Sequence, residues 1–245
     1  MIFVNLRWKL VLCSVLLLSC RRVIAQGGDV TATFTVTPSG SKVSKHPAMN
    51  NIVLWLTPVD GSEPVRASPP PATAYRLVQK NKEFLPHLLV VPAGSSVDFP
   101  NLDPFFHNVF SLFNGKRFDL GLYEAGQHRS VRFDREGVSY IFCNIHPEMG
   151  AVILALKTPY YAVSDASGAV TIHNVPPGQY RLHMWSEQYQ GSDSAPNLRS
   201  AQRMIQVSAQ GASLGSIALS PAPNPLTNHK NKFGEDYPAT PAATY

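Results

Sequence analysis

The chain has 245 residues, with 21 basic against 16 acidic side chains and only 15% charged residues. That length holds one large or two small domains. Lys and Arg are scattered rather than clustered, so no nucleic-acid partner is expected, and 21 Pro and 16 Gly between short apolar runs point to an all-β protein.

Arg7 and Lys9 precede an apolar run from Leu10 to Leu18, and Val23-Ile24-Ala25 suits cleavage. Residues 1–25 therefore read as a secretory signal peptide, too short for a comfortable membrane span. The expected mature protein is periplasmic or secreted and has no transmembrane span. Leu17-Leu18-Ser19-Cys20 resembles a bacterial lipoprotein processing site, and the alternative outcome is a lipid anchor at Cys20. Cleavage after Ala25 removes Arg7, Lys9, Arg21 and Arg22, which leaves 17 basic against 16 acidic residues. It also removes Cys13 and Cys20, two of the three cysteines. Cys143 is then alone, and a lone exported thiol is an intermolecular bridge, an accident or a ligand.

Val30, Ala32, Phe34 and Val36 alternate with threonines, the period of a half-buried strand. A polar loop with His46 and Pro47 follows. Residues 51–56 form a second strand, apolar on both sides and hence central. Pro64 to Pro71 is a linker. A new unit begins at Tyr75, with strands expected over 75–78, 88–91, 96–99, 118–122, 130–133, 138–142 and 151–156. Turns fall at Pro92-Ala93-Gly94, at Asn101-Leu102-Asp103-Pro104 and at Gly137. That density of short strands is expected of a Greek-key sandwich over 75–157. After a junction near Lys157, short strands surround the turns Asp165-Ala166-Ser167-Gly168 and Asn174-Val175-Pro176-Pro177-Gly178. Five strands are few for a sandwich. Residues 28–64 and 158–220 are therefore expected to form one split outer sandwich, with Trp55 and Trp185 as its core anchors. Residues 221–245 are expected to be a flexible tail.

The chemistry concentrates in Cys143-Asn144-Ile145-His146-Pro147-Glu148-Met149, which offers a thiolate, an imidazole and a thioether. A second imidazole, His107, lies in Phe105-Phe106-His107-Asn108-Val109. Thiolate and thioether are soft ligands that select copper, and imidazole suits it. Two His and one Cys with a weak Met form the ligand set of a blue-copper electron-transfer site. Zinc takes four strong ligands, and Met149 is a poor fourth. Cys143 alone would read as a small buried hydrophobe; its neighbours change that reading. Asn108 and Asn144 are candidate donors around the ligands. His87, His128, His173 and His183 are expected to have no metal role. His46 and His229 sit in a loop and the tail, and Asp103, Asp119 and Glu148 are expected on the solvated surface. The ligand loop has no second Cys, and the chain has no His-x-His pair and no His-Cys-His. A dinuclear or multicopper enzyme is therefore not expected, and the chain reads as no enzyme in its own right.

These two motifs resemble the cupredoxins, over roughly a third of the chain. The C-x-x-H-P-x-M spacing looks most like the short ligand loop of the amicyanin branch. The resemblance implies an eight-stranded sandwich that shuttles single electrons between a redox protein donor and acceptor. It also implies one type 1 copper, with His107, Cys143 and His146 as equatorial ligands and Met149 as the axial one. His146 would be the electron's exit, ringed by Phe105, Pro147 and Leu112. The turn motifs at 165–170 and 175–180 resemble the carboxypeptidase-regulatory-like β-sandwich, so the whole looks like bacterial methylamine-utilisation-like proteins. Two other classes stand beside electron transfer. One is a cell-surface binding or accessory protein with a structural copper, and the other is a copper-handling protein.

Overall fold

The computed structural model describes residues 27–36, 49–61, 75–112, 115–191, 203–224, 226 and 229–237. The expected signal peptide with Cys20, the His46 loop, the proline linker and residues 238–245 lie outside these. Among the described residues the protein is all-β and has no helix, so none is long and apolar enough to cross a membrane.

The chain opens with β1 (Gly28–Val36) and β2 (Val53–Pro58). There follow β3 (Tyr75–Arg76), β4 (Val78–Lys80), β5 (Glu83–Leu85), β6 (Leu88–Pro92), β7 (Ser95–Pro100) and β8 (His107–Ser111). Next come β9 (Phe118–Tyr123), β10 (His128–Phe133), β11 (Gly137–Phe142) and β12 (Gly150–Leu156). The last are β13 (Tyr161–Val163), β14 (Ala169–Val175), β15 (Gly178–Trp185), β16 (Tyr189–Gly191), β17 (Arg203–Val207) and β18 (Ala212–Pro221).

These strands build two sandwiches. β1 pairs with β14 and β18, and β2 pairs with β13 and β15. The outer sandwich thus consists of the sheets β14-β1-β18-β16 and β13-β2-β15-β17. The middle of the chain forms the sheets β10-β7-β3 and β6-β12-β11-β8-β9, with a β4-β5 hairpin. The turn into β14 needs Gly168, whose φ is +85° and whose carbonyl accepts from the Phe34 amide at 2.9 Å. A Cβ there would lie 2.6 Å from the Phe34 carbonyl oxygen.

Side-chain alternation sorts the strands into layers. In β2, Leu54 and Leu56 join Phe34, Ile172, Leu182 and Leu219 in the outer core. Val53 and Trp55 face the other way and meet Trp185 together with Val152, Leu154 and Leu156 of β12. The opposite face of β12, with Ala151, Ile153 and Ala155, lines the inner core beside Phe99, Phe133, Cys143 and Met149. A strand covered on both faces reads as an unbroken apolar run, which explains the composition of both β2 and β12. Trp55 and Trp185 are therefore not anchors inside the outer sandwich. They seal the seam between the two sandwiches, where each fully buried apolar side chain contributes roughly 1.5–3 kcal/mol.

Candidate metal centre

β11 lies between β12 and β8, with Phe142 opposite both Gly150 and Phe110. Because the pairing with β8 is antiparallel, the chain beyond Phe142 runs back toward the start of β8, and Cys143 comes to lie beside His107. The Met149 amide donates to the His146 carbonyl at 3.0 Å, and the Cys143 amide to the Met149 carbonyl at 3.3 Å. The first bond closes a β-turn with Pro147 at its second position, where the ring's fixed φ belongs. This tight loop folds His146 back over Cys143.

Three donor atoms meet there. Cys143 Sγ is 3.7 Å from His107 Nδ1 and 3.6 Å from His146 Nδ1, and the two Nδ1 atoms are 3.2 Å apart. The circumradius of a triangle with those sides is about 2.0 Å, the length of a metal–imidazole bond and a little short of the ~2.3 Å of a metal–thiolate bond. Among the described residues, these three form the group of His, Cys and carboxylate donors close enough to hold a metal ion. Met149 is buried with Cys143 in the same core, so its thioether is carried inward with the returning strand. Two imidazoles and a cysteine sulfur, with a methionine buried in the same core, fit copper better than a hard cation.

Burial sets the protonation of the cluster. It pushes the Cys143 thiol up, while amide hydrogens from Asn108, Ile145 and His146 pull the other way. It holds both imidazoles below their ordinary value, although Asp103 partly opposes this at His107. At neutral pH His107 and His146 are therefore neutral and have lone pairs to offer.

His107 is fully buried, and its far nitrogen, Nε2, donates to Asp103 Oδ2 at 2.8 Å. That bond leaves Nδ1 as the lone-pair nitrogen facing Cys143 and His146. Asp103 also accepts the amides of Asn81 at 2.6 Å and Lys82 at 2.9 Å, in the turn between β4 and β5. Burial alone would raise the Asp103 carboxyl, but these three N–H donors outweigh it and hold it below the usual range. Asp103 is thus not a solvated surface group. Its four-residue spacing from His107 was the available signal, and it was legible only once the turn at 101–105 was known. Asn101 builds that turn, accepting from the Asp103 amide at 3.0 Å and donating to the Phe105 carbonyl at 2.8 Å.

The Phe105 ring lies 5.2 Å from that of His107 and 5.6 Å from that of His146, and Pro147 is exposed beside them. Leu112 does not belong to this ring. It follows the far end of β8, whereas the donors gather at its start, and five residues of strand span about 17 Å. Asn108 donates to Asp119 at 2.7 Å, and Asp119 pairs with Lys232 at 2.8 Å. Asp119 too is therefore a bonded group. Lys232 belongs to a segment expected to be flexible. Instead residues 229–237 lie against the ligand loop, where Asn144 accepts the Lys232 amide at 2.9 Å.

Four further histidines among the described residues are engaged elsewhere. His87 pairs with Glu187 at 2.6 Å across the two sandwiches, His128 with Asp98 at 2.7 Å and His173 with Asp29 at 2.9 Å. His183 stacks on Trp55 at 5.1 Å and bonds Thr57 at 2.8 Å.

Residues 155–213 match a family model described as polysaccharide lyase family 4, domain II. No curated protein matches the chain. Among solved structures it is similar to a purple cupredoxin from Nitrosopumilus maritimus, at 23% identity over 34% of this chain and 99% of that one, with a TM-score of 0.31. It is also similar to amicyanin from Paracoccus versutus, at 25% identity over 42% of this chain and 98% of that one, with a TM-score of 0.32. A third is the copper-containing nitrite reductase from Thermus scotoductus SA-01, at 19% identity, with a TM-score of 0.33. There the match covers 50% of this chain but only 28% of the reductase.

Proposed function

We propose that this chain is an exported cupredoxin that binds one type 1 copper and carries single electrons between redox proteins. One observation carries the reading: two imidazole nitrogens and a cysteine sulfur converge at 3.2–3.7 Å. His107, Cys143 and His146 would hold the metal, and Met149 would complete the set. When bound, copper supplies a one-electron couple that none of the side chains possesses.

The chain's own part is to keep the donors still. β8 and β11 set His107 and Cys143 from paired strands, the Pro147 turn sets His146, and Asp103 sets the His107 tautomer. Donors that do not move between oxidation states keep reorganisation small. His146 is the half-buried member of the cluster, so an electron leaves through its ring, beside Phe105. The outer sandwich is read as an exported accessory domain of the carboxypeptidase-regulatory-like kind, and no catalytic residue is assigned to either part.

The test is titration of the chain lacking residues 1–25 with Cu(II), followed optically and by EPR. One equivalent should give an intense thiolate-to-copper band and a narrow hyperfine splitting, and Cys143→Ser should abolish both. A colourless, weakly bound copper would overturn the reading. Ready transfer of the metal to an acceptor protein would favour copper handling over electron transfer.

A further inference from the structure

The outer sandwich ends at β18, yet the chain then returns to the ligand loop. Leu226 is packed in the seam between the sandwiches and sits under Gly150, the residue after Met149. From there residues 229–237 lie along the outside of the loop. His229 Nε2 donates to the Pro147 carbonyl at 2.9 Å, and its ring packs 4.0 Å from that of Phe142. The Lys232 amide donates to Asn144 Oδ1 at 2.9 Å, and its ammonium pairs with Asp119 at 2.8 Å. The Tyr237 hydroxyl donates to the carbonyl of Cys143 itself at 3.0 Å, and the Tyr237 and His229 rings meet at 5.1 Å. The strap has its own internal order. Asn231 is buried and accepts the amides of Phe233 and Glu235 at 2.9 and 3.0 Å.

We propose that residues 229–237 are a working part of the metal centre. His229, Lys232 and Tyr237 are positioning residues that hold the Cys143–Met149 loop in its donor geometry from outside. The inference rests on the copper reading above. Three residues of the loop bond to the strap, since Cys143 and Pro147 lend it carbonyls and Asn144 its side chain. The loop's internal backbone–backbone bonds, by contrast, are two, the closing bond and the turn bond, beside the amide hydrogens that Ile145 and His146 aim at the Cys143 sulfur. A seven-residue loop held at so few internal points can open by local fluctuation, and every opening separates the donors. Bonding the loop to a second segment raises the cost of opening without adding a ligand. Partners of this outer kind typically change metal affinity 10–100-fold when removed.

The test uses full-length mature protein carrying Tyr237→Phe, or Tyr237→Phe with His229→Ala. Release of Cu(I) to a chromogenic chelator and thermal unfolding with and without copper are both measured. The single variant should release copper roughly three- to tenfold faster, and the double variant about 10–100-fold faster. The gain in midpoint temperature from copper should shrink in the same order, because stabilisation by a ligand follows its affinity. A strap that merely stabilises the fold would lower the metal-free and copper-bound midpoints equally and leave release unchanged, and that result overturns the proposal. A wild type lacking the thiolate–copper band overturns the copper reading and this inference together. A wild type with the band, and variants indistinguishable from it, overturns the strap alone.

Discussion

Replacing Asp103 with Ala removes the acceptor of three N–H groups at once. They are His107 Nε2 at 2.8 Å and the amides of Asn81 at 2.6 Å and Lys82 at 2.9 Å. The two amides lie in a turn that is partly open to water and can be rehydrated. The imidazole is fully buried and cannot. A hydrogen bond to a charged group contributes about 1.5–3 kcal/mol, and a neutral one about 1 kcal/mol. Losing the first and partly replacing the others destabilises the inner sandwich by about 3 kcal/mol. Amide hydrogen exchange of β8 in the metal-free protein measures this for that sandwich alone.

The pH dependence of this effect has a definite sign. The native carboxyl lies below its ordinary value of 3.8, so its contribution is complete above that value and is lost as pH falls through the native pKa. Wild type and Asp103→Ala should therefore converge in acid. In the copper-bound protein the same change should weaken Cu(II) binding about 10–100-fold. A loss of less than 1 kcal/mol at neutral pH, with unchanged copper affinity, would refute the assignment of Asp103 as the group that orients His107.

Other perturbations test the frame around the site. Leu154→Ala, at a residue 2% exposed in the seam, should cost about 2–5 kcal/mol. Trp55 and Trp185 are the tryptophans remaining after residue 25, so their fluorescence should shift to the red as water reaches the seam; an unshifted spectrum would count against it. Gly168→Ala puts a Cβ 2.6 Å from the Phe34 carbonyl oxygen at a φ of +85°, and urea unfolding should show a loss of about 2 kcal/mol or more. The Glu187 carboxylate raises the His87 pKa against the opposing effect of burial. That pair stabilises fully below the unfolded value of about 6.5 and is lost as pH rises through the raised native one. With His87 45% exposed, the gain over His87→Gln should be about 0.5–1 kcal/mol at pH 5.5 and absent at high pH. A flat difference across that range would show that the pair does not link the sandwiches electrostatically.

The candidate donors were legible because their chemistry is local. Cys143, His146 and Met149 lie within seven residues of one loop, and His107 announces itself by its context. The alternation of Val30, Ala32, Phe34 and Val36 marked β1 because a half-buried strand exposes every second side chain. The apolar runs at 51–56 and 151–156 marked central strands for the complementary reason. Their shared partner was not legible, since a strand's pattern says that both faces are covered and not what covers them. Trp55 and Trp185 were therefore assigned to the wrong core. Asp103 looked like a surface charge because charge alone says nothing about which N–H groups a turn brings near; Asp119 is exposed as expected, and only its bonds to Asn108 and Lys232 were hidden.

The sequence by itself determined an all-β chain and one set of soft and imidazole donors, because strand periodicity and ligand chemistry are properties of neighbouring residues. Tertiary structure alone decided the rest. It paired β8 with β11 so that donors 36 residues apart meet at 3.7 Å, placed the Asp103 carboxylate behind His107, and laid residues 229–237 over the ligand loop. Those contacts join segments far apart in sequence. They exist only after burial of the shared seam has brought the segments together, and a sequence carries no local signal for a partner about a hundred residues away.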